Sequence, residues 1–190
     1  MSETNTIINI KRINAILYFA KNIKDCGKTK LFKLLYYLDF IHFKKYGFSV
    51  TGYSYIAMPY GPVPKELFEQ LRTDNLPKEY EESFFVEKEA KDEDDKYFLF
   101  HIKPRTKKID LDWFSPSELE ILEQVVEIFK ESTAKDMVEA SHFKNQPWDK
   151  TLKNGKIGDE IDYFLVHDTD SALSLEDLKE RYQLQKLLME

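Results

Sequence analysis

Asp39 and His42 are the residues of this sequence whose types and spacing come nearest to a chemical site. They lie three positions apart. Residues at i and i+3 share one face of a helix, where a carboxylate could orient an imidazole for acid–base catalysis or for metal binding. His142 would join them only if the fold brings two distant helices together. The alternative, which the sequence favours, is a buried polar pair that satisfies its own hydrogen bonds.

Other reactive motifs are incomplete. No cysteine pair and no HExxH spacing supplies further metal ligands, so we predict neither a metal site nor a cofactor. Gly27-Lys28-Thr29 imitates the end of a phosphate-binding loop, but Asn22 stands where the first glycine should be, and the preceding segment has a helical pattern. The single cysteine, Cys26, lies at a helix end, where the negative dipole disfavours a reactive thiolate. These patterns predict a protein without nucleophilic catalysis.

Two helices position the first candidates. Residues 7–24 carry apolar side chains at helical spacing, and Gly27 ends this helix. Thr29 is the predicted N-cap of a second helix over residues 30–46, which is apolar on almost every side. A helix of this composition is normally central to its domain. Gly47 is predicted to end it.

The rest of the chain predicts shorter elements. VTGYSYIAMPYGPVP indicates an extended stretch and a rigid loop, followed by a helix over residues 64–73. FFVEKEA and YFLFHIKP, joined by KDEDDK, predict a two-stranded hairpin with a charged turn. Capping patterns predict three helix starts, at Ser115 with Pro116 and Glu118, at Thr133 with Asp136, and at Ser174 with Asp177.

These elements predict a mainly α (α+β) fold, a compact helical domain with one small antiparallel β-hairpin. We expect a single domain over residues 1–190, with a core over 7–165 and a C-terminal helical extension over 166–190. The chain has 190 residues and one cysteine, which suits one domain in a reducing compartment and excludes a disulfide scaffold. With no signal-peptide core and no apolar stretch of about 18 residues, we expect a cytoplasmic protein that does not contact membranes.

Charge restricts the partners. The formal net charge is −6, which disfavours nonspecific binding to nucleic acid. Residues 10–46 carry a local +7 and residues 79–96 a local −6. The simple interpretation is two solvated faces, and the sharper one is an electrostatic handle for a partner. Aromatic residues in the lysine-rich part follow the apolar stripe, which predicts core packing, so direct nucleic-acid binding is not expected.

Trp148 follows Pro147 in an otherwise polar segment. It is predicted either to pin that segment on the helical bundle or, if exposed, to anchor a protein interface.

Three segments together resemble the antitoxin SocA-like family, also called the Panacea domain. They are KLFKLLYYLDFIHFKKYG, YIAMPYGPVPKEL and SHFKNQPW, within about residues 10–165. The combination of LLYYxDxxHxxxxG with GPV is more specific than any motif above. By position, the family-type residues are Tyr36, Asp39, His42, Gly47, Gly61, Pro62, Val63, His142 and Trp148. The sequence departs from the family pattern at Phe32, where glutamine is common, and at Leu38, where a small residue is usual.

The resemblance implies a mainly helical, phage- or mobile-element-associated antitoxin that neutralises a cognate toxin encoded nearby, by direct protein contact. It also leaves open an adaptor that hands the toxin to a bacterial AAA+ protease or unfoldase. A third hypothesis, from another class, is an enzyme that uses Asp39, His42 and His142.

Overall fold

The structure is a computed structural model that describes residues 3–90 and 98–189. Within them lie eight α helices: α1 (Glu3–Asn22), α2 (Lys28–Tyr46), α3 (Lys65–Thr73), α4 (Lys78–Ser83), α5 (Pro116–Phe129), α6 (Ala134–Ser141), α7 (Pro147–Asn154) and α8 (Leu175–Met189). The strands are β1 (Tyr55–Met58), β2 (Gly61–Pro64), β3 (Phe84–Ala90) and β4 (Phe98–Pro104), and a 3-10 helix spans Tyr163–Val166. The predicted mainly helical fold is confirmed. None of the described helices is both long enough and apolar enough to cross a bilayer.

Helix α2 is the centre of the fold, as its apolar circumference predicted. Its leucines are completely buried, and α1, α5, α6 and β2 all pack against it. The prediction of Thr29 as its N-cap is wrong, because the helix begins two residues earlier and Gly27 is the N-cap. The Gly27 carbonyl accepts the Leu31 N–H at 2.9 Å, and the Gly27 backbone lies against β4. Tertiary contact therefore sets this helix start, without a side-chain cap.

The predicted end of α2 and the predicted starts of α5, α6 and α8 are confirmed, whereas α1 ends at Asn22, before the predicted end at Gly27. Gly47 ends α2 in the left-handed region with φ of 77°, where glycine avoids the Cβ clash. Reciprocal capping bonds begin three helices and involve Ser115 with Glu118, Thr133 with Asp136, and Ser174 with Asp177. Such caps form between residues three apart, so sequence alone suffices to predict them.

The described residues contain two hairpins where the sequence predicted one. Strands β3 and β4 form the predicted antiparallel hairpin, while its charged turn at residues 91–96 lies outside the described part of the chain. The additional hairpin pairs β1 with β2 in the segment predicted as a loop, with Ile56 opposite Val63 and Met58 opposite Gly61. Pro62 and Pro64 concealed β2, because proline lacks the N–H that a strand normally donates.

Helix α8 packs beside the end of α2. Leu178 is buried in the core, while Leu184, Leu187 and Leu188 are exposed. The Gln185 side chain accepts from the Ser49 N–H at 2.9 Å and donates to the Ser49 carbonyl at 2.7 Å. This reciprocal pair attaches α8 to the loop that follows α2.

Candidate functional site

Asp39 is fully buried and holds the loop that follows α2. One carboxylate oxygen accepts the N–H groups of Val50 at 2.8 Å and Thr51 at 2.7 Å. The other accepts the hydroxyls of Thr51 and Tyr55. Burial raises the pKa of Asp39, while the hydrogen bonds from Thr51 and Tyr55 oppose that change. With protein donors on both oxygens, the carboxylate organises the loop from inside the core.

His42 lies one helical turn further along α2 and has different partners. Its Nδ1 lies 2.6 Å from the Phe48 carbonyl oxygen and its Nε2 lies 3.1 Å from Ser117 Oγ on α5. Burial lowers the pKa of His42. The imidazole therefore bridges α5 and the loop after α2, and its hydrogen bonds do not include Asp39.

His142 lies in a third environment, at the end of α6. Its ring stacks on Trp148 with centroids 3.8 Å apart and planes 7° apart. Trp148 donates its indole N–H to the Met58 carbonyl at 3.0 Å, so it pins this segment on the tip of β1, as the first of its two interpretations predicted. The three predicted candidates thus serve three separate contacts, and this geometry gives no support to one acid–base site that contains them all.

Lys33 is a buried residue that the sequence reasoning missed. It is 1% exposed, and its ammonium donates to the Pro62 carbonyl at 3.0 Å. Burial lowers the pKa of Lys33 to about 7. Gly61, with φ of 95°, passes so close that an added Cβ would lie 2.7 Å from Lys33 Cε. The Gly-Pro of the motif therefore covers this amine. In the sequence, the apolar residues around position 33 on α2 were the signal that could have indicated its burial.

Most of the family-type residues are buried in this structure. Tyr36, Asp39, His42, Gly61, Pro62 and Val63 all lie beneath the surface. Tyr60 and Phe143 are 75% and 63% exposed, and each lies within two residues of a motif residue. We call Tyr60, Phe143 and the half-buried His142 and Trp148 the aromatic surface. The segment that carries Tyr60 meets the segment that carries His142 and Phe143 where Gly61 lies against Ser141.

The described part of the acidic segment lies on α4 and β3. Its glutamates are exposed, and some of them form ion pairs, including Glu87 with Lys103 at 3.3 Å and Glu82 with Lys78 at 3.6 Å. The rest of the segment, residues 91–96, lies outside the description. The field of this face is therefore partly neutralised by its own lysines.

Other reactive groups are few. Cys26 is buried, and burial raises the pKa of its thiol to about 12, which leaves it protonated at neutral pH. Among the residues that the structure describes, no group of three or more His, Cys, Asp or Glu side chains is placed to hold a metal ion.

Comparison with known proteins gives one match. The family model described as antitoxin SocA-like, Panacea domain, matches residues 31–149, which is more than half of the chain. The match includes α2 from Leu31 onward, both hairpins, α5, α6 and the segment that carries His142 and Trp148. No curated protein and no solved structure is significantly similar to the chain.

Proposed function

We propose that this chain, which belongs to the antitoxin SocA-like family through its Panacea domain, neutralises a cognate toxin by binding it and covering its active face. The family match over residues 31–149 is the observation that carries this proposal. Neutralisation by occlusion requires a preformed surface and no chemical step. Stable complexes of this kind bury roughly 1,200–2,000 Å² of total surface, and a few anchors contribute most of the affinity.

We place those anchors on the aromatic surface. Tyr60 and Phe143 are large and exposed, and aromatic side chains are enriched among the residues that dominate binding energy. Next to Phe143 in sequence, His142 is stacked on Trp148, and Trp148 donates to the carbonyl of Met58, two residues before Tyr60. This support reduces the ordering that binding would otherwise require, which favours affinity. The motif residues would then act by positioning this surface.

The acidic segment adds a second, weaker element to the proposal. If the toxin is basic, exposed glutamates on α4 and β3 would raise the association rate more than the affinity. This effect falls with ionic strength, because exposed charges more than about 8 Å apart are screened at physiological salt. Charge reversal at Glu79, Glu81 and Glu82 should therefore slow association at low salt. An unchanged rate would remove steering from the proposal.

The test of the main proposal is coexpression with the toxin encoded beside this gene. Growth should be rescued by the unaltered chain, which should also form a complex with the toxin in solution. Tyr60→Ala and Phe143→Ala should each weaken the complex by about tenfold or more, as expected for anchors worth at least about 1.4 kcal/mol. Ile128→Ala is the matched control, because Ile128 is 53% exposed on α5 outside the aromatic surface. Rescue without a detectable complex would contradict direct neutralisation.

A protease adaptor is the alternative function that the family resemblance left open. Leu184, Leu187 and Leu188 present an exposed apolar end of α8, which an unfoldase or protease could engage. Under this alternative the toxin becomes short-lived when this chain is present, and its half-life recovers when Leu187 and Leu188 are changed to serine. Occlusion leaves the half-life of the toxin unchanged.

A further inference from the structure

Fold and sequence together place a serine hydroxyl against the imidazole of α2. Ser117 is 75 positions from His42, yet its Oγ lies 3.1 Å from His42 Nε2. We propose that Ser117 is an activated nucleophile that accepts the acyl group of a small apolar ester, with His42 as its general base. This property goes beyond toxin neutralisation, which as proposed above needs no chemistry from either residue.

The hydrogen bonds around His42 fix the direction of proton donation. The Phe48 carbonyl oxygen can only accept, so the 2.6 Å contact requires a hydrogen on Nδ1. In the neutral ring Nε2 is then the acceptor, and the Ser117 hydroxyl must donate to it. Ser115 Oγ, 3.1 Å from Ser117 Oγ, already accepts the Glu118 N–H and so has its own hydroxyl hydrogen available for Ser117. The Ser117 proton is thereby directed toward the imidazole.

Charged groups on three elements act on this imidazole. Burial lowers the pKa of His42, which keeps the ring neutral and able to accept a proton at neutral pH. Glu118 on α5 and Asp39 on α2 favour the protonated ring, and Lys11 on α1 disfavours it. Lys11 is itself paired with Glu118 at 2.7 Å. Burial and Lys11 therefore oppose the imidazolium that forms during proton transfer, whereas the hydrogen bond to the Phe48 carbonyl and the two carboxylates support it.

The backbone at Ser117 also suits acyl chemistry. Ser115 is the N-cap of α5 and Pro116 its first residue, so Ser117 is the second residue of a 14-residue helix. Backbone N–H groups at this position have no acceptor within the helix. This donor and the positive end of the helix dipole would stabilise negative charge on an acyl oxygen held beside Ser117.

A cavity of about 480 Å³ gives access to the pair. Its volume falls within the range of small-molecule sites. Its walls around His42 and Ser117 are mixed: Ile7, Ile8 and Leu188 are apolar, whereas Lys11, Glu118 and Arg181 are charged. The apolar part of this lining suits a short apolar acyl group, and this sets the substrate class.

The reaction that the geometry supports has two balanced steps. Ser117 Oγ attacks the ester carbonyl carbon while its proton moves to His42 Nε2. The bond to the alcohol oxygen then breaks, and His42 returns the proton to the departing alcohol, which leaves an acyl group on Ser117. In the second step a water molecule gives a proton to His42 Nε2 as its oxygen attacks the acyl carbon. The bond from that carbon to Ser117 Oγ then breaks, His42 returns the proton to Ser117, and the acyl group leaves as a carboxylic acid.

A fluorophosphonate probe tests the nucleophile in the full chain. Modified serines are identified by peptide mass, and Ser174 is the internal reference, because its hydroxyl donates to the Asp177 carboxylate. Ser117 should react about 100-fold faster than Ser174, and His42→Gln should remove that advantage, since general-base assistance is worth about that factor or more. Equal reactivity of the two serines, or full reactivity of Ser117 in a folded His42→Gln variant, would overturn the proposal.

A second variant keeps the proposal testable if His42→Gln does not fold. In Ser117→Cys, alkylation by iodoacetamide should reach half its maximal rate at least one pH unit below the value of about 8.5 for a free thiol, because His42 takes up the proton. Cys26 is buried and serves as the unreactive reference. An ordinary thiol profile would also overturn the proposal. Toxin rescue is scored separately in each variant, so failure of one proposal is distinguishable from failure of the other.

Discussion

Replacement of Lys33 by methionine should stabilise the fold, although it removes a hydrogen bond. Lys33 is 1% exposed, and its ammonium meets the Pro62 carbonyl oxygen in the core. A methionine side chain is unbranched and of similar length, so it can occupy the same channel beneath Gly61. The change exchanges a buried titratable amine for an apolar group of similar shape.

The size of the effect follows from the pKa of the amine. A fall from the ordinary value of 10.5 to about 7 corresponds to about 5 kcal/mol of destabilisation at pH 6, at about 1.4 kcal/mol per pH unit. Loss of the hydrogen bond leaves the buried Pro62 carbonyl unpaired, which should cost about 1–3 kcal/mol. Lys33→Met should therefore stabilise the protein by about 2–4 kcal/mol at pH 6.

The sign of the pH dependence provides the decisive measurement. Between about pH 7 and 10.5 the unfolded chain holds a proton that folded Lys33 lacks, so the stability of the unaltered protein should rise with pH in this window. The advantage of Lys33→Met should consequently shrink by about 2–3 kcal/mol between pH 6 and pH 9. Because only the difference between the two proteins is used, contributions of the tyrosines and Cys26 cancel.

Urea unfolding at pH 6, 7, 8 and 9 supplies these free energies. Lys65→Met is the control for loss of a lysine, because Lys65 is exposed at the start of α3, and its effect should stay within about 0.5 kcal/mol. If Lys33→Met is destabilising at pH 6, or if its effect is the same at all four values, then Lys33 is not a buried amine with a lowered pKa.

Three further substitutions test other contacts that hold the fold together. Asp39→Asn replaces one acceptor oxygen by an NH2 donor, which must face either the backbone N–H groups or the hydroxyls that the carboxylate accepts, and it should reduce the free energy of unfolding by about 2–4 kcal/mol; a loss below about 1 kcal/mol would contradict the role of Asp39 in holding the loop. Gly27→Ala drives a Cβ into the Phe100 carbonyl and should cost about 1–3 kcal/mol, seen as a lower melting temperature, whereas an unchanged melt would mean that α2 and β4 are not in this contact. Gln185→Ala removes the bonds to Ser49 and should speed hydrogen exchange in α8 while α2 stays protected; uniform exchange would show that α8 is not a separate unit.

The sequence predicted the parts of the fold whose causes are local. The capping box at Ser115 and the left-handed glycine at Gly47 form between neighbours in the chain, so both were identified correctly. The start of α2 at Gly27 depends on a strand more than 70 positions away, and no local pattern encodes that contact. The hairpin of β1 and β2 was hidden because half of the residues of β2 are prolines.

The candidate site was predictable only as a set of residue types. The spacing of Asp39 and His42 correctly placed both on one helix, but their hydrogen bonds go to Thr51 and Ser117, which tertiary packing brings to them. The burial of Lys33 was missed for the same reason. A lysine within an apolar helix is normally interpreted as a side chain that extends to water, and burial here depends on the hairpin that covers it.

The arrangement of motif and surface residues separates the side chains that hold the fold from the side chains that are available to a partner. Asp39, Gly61 and Pro62 are buried and hold the loop and hairpin in place, whereas Tyr60 and Phe143 stand next to motif residues in sequence and face solvent. These buried residues constrain the backbone of the loop and the hairpin. The exposed side chains of Tyr60 and Phe143 can therefore differ without loss of the fold. Substitutions of the buried residues should therefore impair toxin rescue in proportion to the stability that is lost. Substitutions at the two exposed aromatics should impair it with the melting temperature preserved, so a plot of rescue against melting temperature would separate the two groups.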